Sequence, residues 1–201
     1  MKKIFFAVMI IAGISWTGCV NVKIASEIPS ISYFDIQDYE TSKNTKKCQN
    51  QKTSKKIGVL DVNVASVFNS TDVIVINNET LKIESLENKK WVSTPKEMFK
   101  TKILYALKNQ CYEASLQPFG TQKLDKILKI TLTSFAIIKK TEGYFAQVGL
   151  FYEIQNAYNY SLSKNDTIIV QKPIQFDGDF FALDFRDLSD EAVNLMIKSI
   201  R

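Results

Sequence analysis

The chain has 201 residues, 26 lysines and arginines against 21 acidic residues, a net charge of +5, and no histidine. A balance so mild does not argue for nucleic acid as a partner. The lack of imidazole removes Ser-His-Asp and Cys-His catalysis and the histidine ligands on which many zinc sites depend.

The first element is a leader. Lys2 and Lys3 form a basic start, Ile4 to Ile14 an uncharged apolar run, and Trp16-Thr17-Gly18 leads into Cys19. This is the order of a secretory signal, and its run of about 11 residues falls well short of the roughly 20 a helix needs to cross a bilayer. The segment resembles a bacterial lipoprotein signal, although Trp16 stands where that motif carries an aliphatic residue. The resemblance implies cleavage between Gly18 and Cys19, diacylglycerol on the Cys19 thiol and an N-acyl chain on its amine. Such chains anchor a domain stably, since each buried methylene contributes about 0.8 kcal/mol. Val20 is not acidic, which in lipoproteins of this kind implies the periplasmic face of the outer membrane. Loss of Lys2 and Lys3 with the leader leaves a net charge of +3.

Residues 19–32 form a tether in which Pro29 discourages helix, and 33–201 are expected to be one periplasmic domain, a size that folds around its own core. Tyr33-Phe34-Asp35-Ile36 is short, aromatic and strand-like. Thr41 to Lys56 carries Lys43, Lys46, Lys47, Lys52, Lys55 and Lys56 with no acid. It reads as a solvated loop or as a patch facing anionic head groups. Cysteines 48 and 111 remain once Cys19 is assigned to lipid. They are either a disulfide, in a compartment that permits one, or two separate thiols. No CxxC is present to suggest a redox role.

Ile57 to Val64 and Val73 to Ile76 are β-branched and suit buried strands. Asn77-Asn78-Glu79 then turns the chain into Leu81, Ile83 and Leu86, completing a hairpin. Thr94-Pro95-Lys96-Glu97 predicts a helix start, with the Thr94 hydroxyl capping, Pro95 at the first position and Glu97 closing a capping box. Phe99, Ile103, Ala106, Leu107 and Gln110 share its inner face. Leu128, Ile130 and Leu132 alternate with polar residues, as do Tyr144 to Ile154 and Thr167 to Phe176, the last behind an Asn165-Asp166 turn and with Pro173 marking an edge or a bulge. Phe181, Phe185, Leu188, Ala192, Leu195 and Ser199 form a closing helical stripe. The expected fold is α+β: about six or seven strands, mostly antiparallel, with two main helices on the sheet.

The order of these landmarks resembles the ABC-type transport auxiliary lipoprotein family, small lipoproteins that accompany MCE-domain lipid transporters, including the paraquat-inducible type. The match rests on Tyr33-Phe34-Asp35-Ile36 after the acylated cysteine, on Ile57 to Val64 and Val73-Ile74-Val75-Ile76, and on Trp91-Val92-Ser93-Thr94-Pro95 before the Phe99 to Leu107 face. The later strands and the Phe181 to Ile200 helix complete it. The resemblance implies a non-catalytic part of an envelope phospholipid transporter, docking its MCE subunit and, through it, a permease and an ATPase. The chain itself has no GxxxxGK[ST] for nucleotide. An outer-membrane lipoprotein that scaffolds or activates lipopolysaccharide assembly, secretion or peptidoglycan synthesis is the alternative.

The candidate contact residues for partner or lipid are Tyr33, Phe34, Trp91, Tyr158 and Tyr160, each weighed against plain core packing or loop roles. No catalytic residue and no cofactor is assigned. Asp177, Asp179, Asp184, Asp187 and Asp190 lack EF-hand spacing, and Asp61, Asp72, Glu84 and Glu87 do not single out an acid–base pair.

Overall fold

The computed structural model describes residues 29–38, 48, 55–176 and 178–200. The leader, Cys19, most of the tether, the basic stretch except Cys48, Lys55 and Lys56, and Asp177 lie outside them. The chain divides into Met1–Ser30 and Ile31–Arg201, and the second unit holds every element described below.

Its elements are β1 (Ser32–Phe34), β2 (Lys56–Val59), β3 (Asn63–Val64), a 3₁₀ turn (Ser66–Phe68), β4 (Asp72–Asn77), β5 (Ile83–Trp91), α1 (Pro95–Asn109), β6 (Glu113–Leu116), β7 (Lys126–Lys140), β8 (Gly143–Asn156), β9 (Leu162–Ile174) and α2 (Phe181–Lys198). All nine strands form one sheet, so the α+β expectation holds while the count of six or seven does not. The mostly antiparallel expectation holds only in part. The long β7–β8–β9 meander and the β4–β5 hairpin are antiparallel, but β1–β5, β2–β6, β2–β7, β3–β7 and β4–β7 are parallel. Strands of two to four residues are too short to show a period, and strand direction comes from how the chain crosses over between them.

β7 is the spine. Along one side it pairs with β8 over its whole length. Its other side is shared in succession by β2 at Ile127, β3 at Thr131 and β4 at Ile137. An irregularity between Leu132 and Ser134 shifts the phase of alternation, with Leu128, Ile130 and Leu132 buried before it and every residue from Ser134 to Ile138 buried after it. Gly149 is required opposite this step: a Cβ there would lie 2.6 Å from Thr133 Oγ1 and 3.2 Å from the Ser134 nitrogen. From β8, Ala146, Val148, Leu150, Tyr152 and Ile154 point into the same core.

Both helices cover that face. Phe99 of α1 meets Phe135 edge-on with ring centroids 5.6 Å apart, and Phe185 of α2 meets it at 4.7 Å. α1 begins at Pro95 after Thr94, as its sequence predicts, yet the Thr94 side chain makes no capping bond. The Thr94 carbonyl accepts from the Glu97 and Met98 amides, while the Glu97 carboxylate pairs with Lys100 instead of closing a box. Its buried face adds Met98 and Lys102, Ala106 packs partly buried against the core, and Gln110 is exposed. Asn165 and Asp166 do not form a turn. They lie within β9, and the connection from β8 is made by 157–161. β9 pairs with β8 alone, the edge position that Pro173 requires.

Candidate functional site

β1 runs along the sheet edge beside β5, with Tyr33 opposite Lys90 and Phe34 opposite Trp91. Adjacent residues of a strand face opposite ways, and the two aromatics of β1 part accordingly. Tyr33 is 62% exposed, whereas Phe34 packs on Phe181 at the start of α2 with centroids 4.9 Å apart. Trp91 is 1% exposed and ringed by Phe135, Phe181 and Phe185 at 4.9, 5.8 and 5.3 Å. Lys89 closes over this nest. Its Nζ donates to the Gly178 carbonyl and to Asp179 at 2.7 Å and stands 5.7 and 5.6 Å from the Phe34 and Phe181 ring centroids. Trp91 is therefore withdrawn as a contact residue, and Phe34 serves chiefly to seat α2 on the sheet. Sequence reasoning did not assign Phe181 and Lys89 to this nest. Phe181 stands at the head of the closing helical stripe, but nothing in the spacing of Lys89 points to it.

Tyr158 and Tyr160 lie apart from β1, in the β8–β9 connection. Asn156 Oδ1 accepts the Tyr158 amide and Asn159 Oδ1 accepts both the amide and hydroxyl of Ser161, so two short polar side chains shape the turn. Tyr158 is 94% and Tyr160 69% exposed. Tyr160 has φ 56°, a region that bulky L residues rarely adopt. The five sequence candidates thus separate into a buried tryptophan, a half-buried phenylalanine and three exposed tyrosines at two separate places.

The sheet face away from the helices is not uniformly polar. Register places Ile83, Ile76, Ile138, Phe145 and Pro173 in one transverse row over five strands, and Lys140 lies 4.5 Å over the Phe145 ring. Cys48 and Cys111 are joined by a disulfide, which fastens the segment before β2 to the residue just beyond α1.

Three of the four carboxylates weighed as catalytic candidates, Asp61, Asp72 and Glu84, are paired with lysines. Asp61 pairs with Lys96, and Asp72 with Lys90 at 2.8 Å. Hydrogen bonding to those ammonium groups holds both carboxyls below the usual range; the Lys82 ammonium does the same for Glu84. A general acid needs the opposite shift. Asp179, Asp184, Asp187 and Asp190 likewise face Lys89, Lys172, Arg186 and Lys102. Among the described residues no group of three or more Asp, Glu, Cys or His is placed to hold a metal ion, and none of the helices is long and apolar enough to cross a membrane.

No protein-family model matches the chain, and no curated protein matches its sequence. Solved structures do. A crystal structure of an uncharacterized protein superposes with a TM-score of 0.66 at 14% identity, covering 86% of this chain and 99% of the other. Protein XCC0632 from Xanthomonas campestris, of family DUF330, gives 0.65 at 13% identity, covering 84% and 92%. At such identities the likeness is one of fold.

Proposed function

We propose that the protein is a non-catalytic, lipid-anchored component of the bacterial envelope that docks the MCE-domain subunit of an ABC-type phospholipid transporter at the periplasmic face of the outer membrane. The observation that carries the reading is the leader that ends Gly18-Cys19 after an uncharged run too short to span. It is supported by the order of β1, the β4–β5 hairpin, Trp91 and a Pro95-started helix along the chain, which is the order of the auxiliary lipoprotein pattern. A Cys48–Cys111 disulfide suits an oxidising compartment.

In this reading the lipid fixes one end of a transfer path, and the folded body supplies a docking surface while a partner ATPase supplies the energy. The test has two parts. Radiolabelled palmitate should enter the protein and should fail to enter Cys19→Ala. Crosslinking in cells followed by mass spectrometry should recover an MCE-domain subunit. Absence of label removes the anchor. Recovery of a lipopolysaccharide-assembly, secretion or peptidoglycan-synthesis component instead moves the protein to another envelope machine, and turnover of esters, glycans or peptides by the purified protein overturns the non-catalytic assignment.

A further inference from the structure

Lysines over most of the body are neutralised by acids: Lys89 by Asp179, Lys90 by Asp72, Lys96 by Asp61, Lys129 by Glu153 and Lys172 by Asp184. The end that carries the β8–β9 connection gathers four lysines that are not so paired, where the far end of β7 has Lys139. Lys126 lies opposite Asn156 and Lys164 opposite Ile154. Lys123 precedes Asp125, whose carbonyl accepts the Ala157 amide. Lys55 stands close enough to Lys126 to help lower its pKa, after the larger effect of burial. Among the described residues none of these four lysines has a carboxylate partner. Lys126 and Lys164 donate instead to the uncharged Ile200 carbonyl and Ser199 hydroxyl. Asp125 and Glu113 share this end: the Asp125 carboxylate accepts the Lys56 amide at 2.7 Å, and Glu113 pairs with the Lys56 ammonium. Into the same end project Tyr158 and Tyr160, the latter kept in a backbone conformation that glycine or asparagine would occupy with less strain.

We propose that this lysine-ringed, tyrosine-tipped hairpin is a peripheral docking site for an anionic phospholipid surface. Protein interfaces favour tyrosine and arginine but are depleted in lysine. The combination present here, tyrosine with lysine, is that of the bilayer boundary, where amphipathic rings lie at head-group level and ammonium groups meet anionic lipids. The site rests on the lipid-anchored reading only for its proximity to a membrane.

The test uses the native processed lipoprotein carrying Tyr158→Trp, with Trp91 as a buried internal reference. It is reconstituted in phosphatidylcholine vesicles with or without phosphatidylglycerol. The result expected is quenching of the introduced indole by brominated acyl chains in the anionic vesicles alone, reversed by high salt. The docked-to-free ratio should fall about fivefold for Lys123→Ala and again for Lys164→Ala. An introduced indole open to aqueous iodide in both vesicle types overturns the proposal, as does quenching indifferent to lipid charge. A photocrosslinker at position 158 that captures protein and not lipid in cells also overturns it, in favour of a protein groove. Flotation separates the two readings: a floating protein whose hairpin indole stays in water refutes the tip alone. A protein that does not float on neutral vesicles but is quenched by anionic ones refutes the anchor alone.

Discussion

Replacing Asp190 by alanine probes how α1 and α2 are held together. The Lys102 side chain is 5% exposed, and its ammonium lies 2.5 Å from Asp190, whose own side chain is 46% exposed. Removing the carboxylate leaves a buried ammonium unpaired. Breaking a fully buried pair costs about 3–5 kcal/mol, and the exposure of Asp190 lets water reach the vacated place, so about 2 kcal/mol is expected here. In a domain of this size that corresponds to a fall in Tm of about 4–8 °C. Lys102→Met should behave differently, because it removes the charge and the need for a partner while keeping an unbranched apolar stem, and its cost should stay below about 1 kcal/mol. In the Lys102→Met background, Asp190→Ala should add almost nothing, giving a coupling of about 2 kcal/mol. Urea unfolding of the four proteins, followed by circular dichroism, measures all terms. Equal losses for Asp190→Ala and Lys102→Met would refute the reasoning, since the pair would then be a net source of stability and not a mutual compensation.

Cys111→Ser should lower stability by about 4 kcal/mol in the chain-entropy account, the disulfide closing a separation of 63 residues. Dithiothreitol should reproduce that loss in the parent and add none in the variant. Asp72 has a folded pKa below its unfolded value because Lys90 and Ser70 hydrogen-bond its carboxylate. Its contribution is therefore present above about pH 4 and lost as pH falls through the folded value. Asp72→Asn should flatten the acid limb of a urea-midpoint titration and change the neutral plateau by under about 1 kcal/mol; an unaltered limb would assign the slope elsewhere. Trp91 has a buried Nε1 without a hydrogen-bond partner among the described residues, so Trp91→Phe forfeits volume but no bond and should cost about 1–2 kcal/mol against about 3–5 for Trp91→Ala. Thermal melts that rank the two equally would show that the indole nitrogen matters.

Much of this architecture is legible in periodicity. The alternation of β8, the β4–β5 hairpin around Asn77 and the Pro95 start of α1 are local patterns present where the sequence places them, while the predicted α2 stripe holds at Phe181, Phe185, Leu188 and Ala192 but fails at its end, where Leu195 is exposed, Ser199 lies beyond the helix, and Met196 and Ile197 are buried instead. Legibility fails where neighbours in space decide. The reading of β7 falters at Thr133 because an irregularity there shifts the alternation and the strand is buried on both faces from Ser134 to Ile138, which a constant period of two cannot express. The burial of Lys102 has no local signal, because a lysine is rarely buried without a partner and that partner lies 88 residues away on another helix.

The same division holds for the site. Side-chain type alone nominates Tyr33, Phe34, Trp91, Tyr158 and Tyr160, since large aromatics bury or bind wherever they fall. Only the packing of Phe181 and Phe185 sends Trp91 inward, and only the closed fold brings Lys55, Lys123, Lys126 and Lys164 to the end that carries the hairpin. From residues near one another in the chain come the helices and the longer strands, because turns, caps and amphipathic periods are short-range properties. Which strands run parallel, which lysines find acids and which tyrosines stay in water belong to the tertiary structure alone, because those outcomes depend on surfaces that meet only after the chain has closed upon itself.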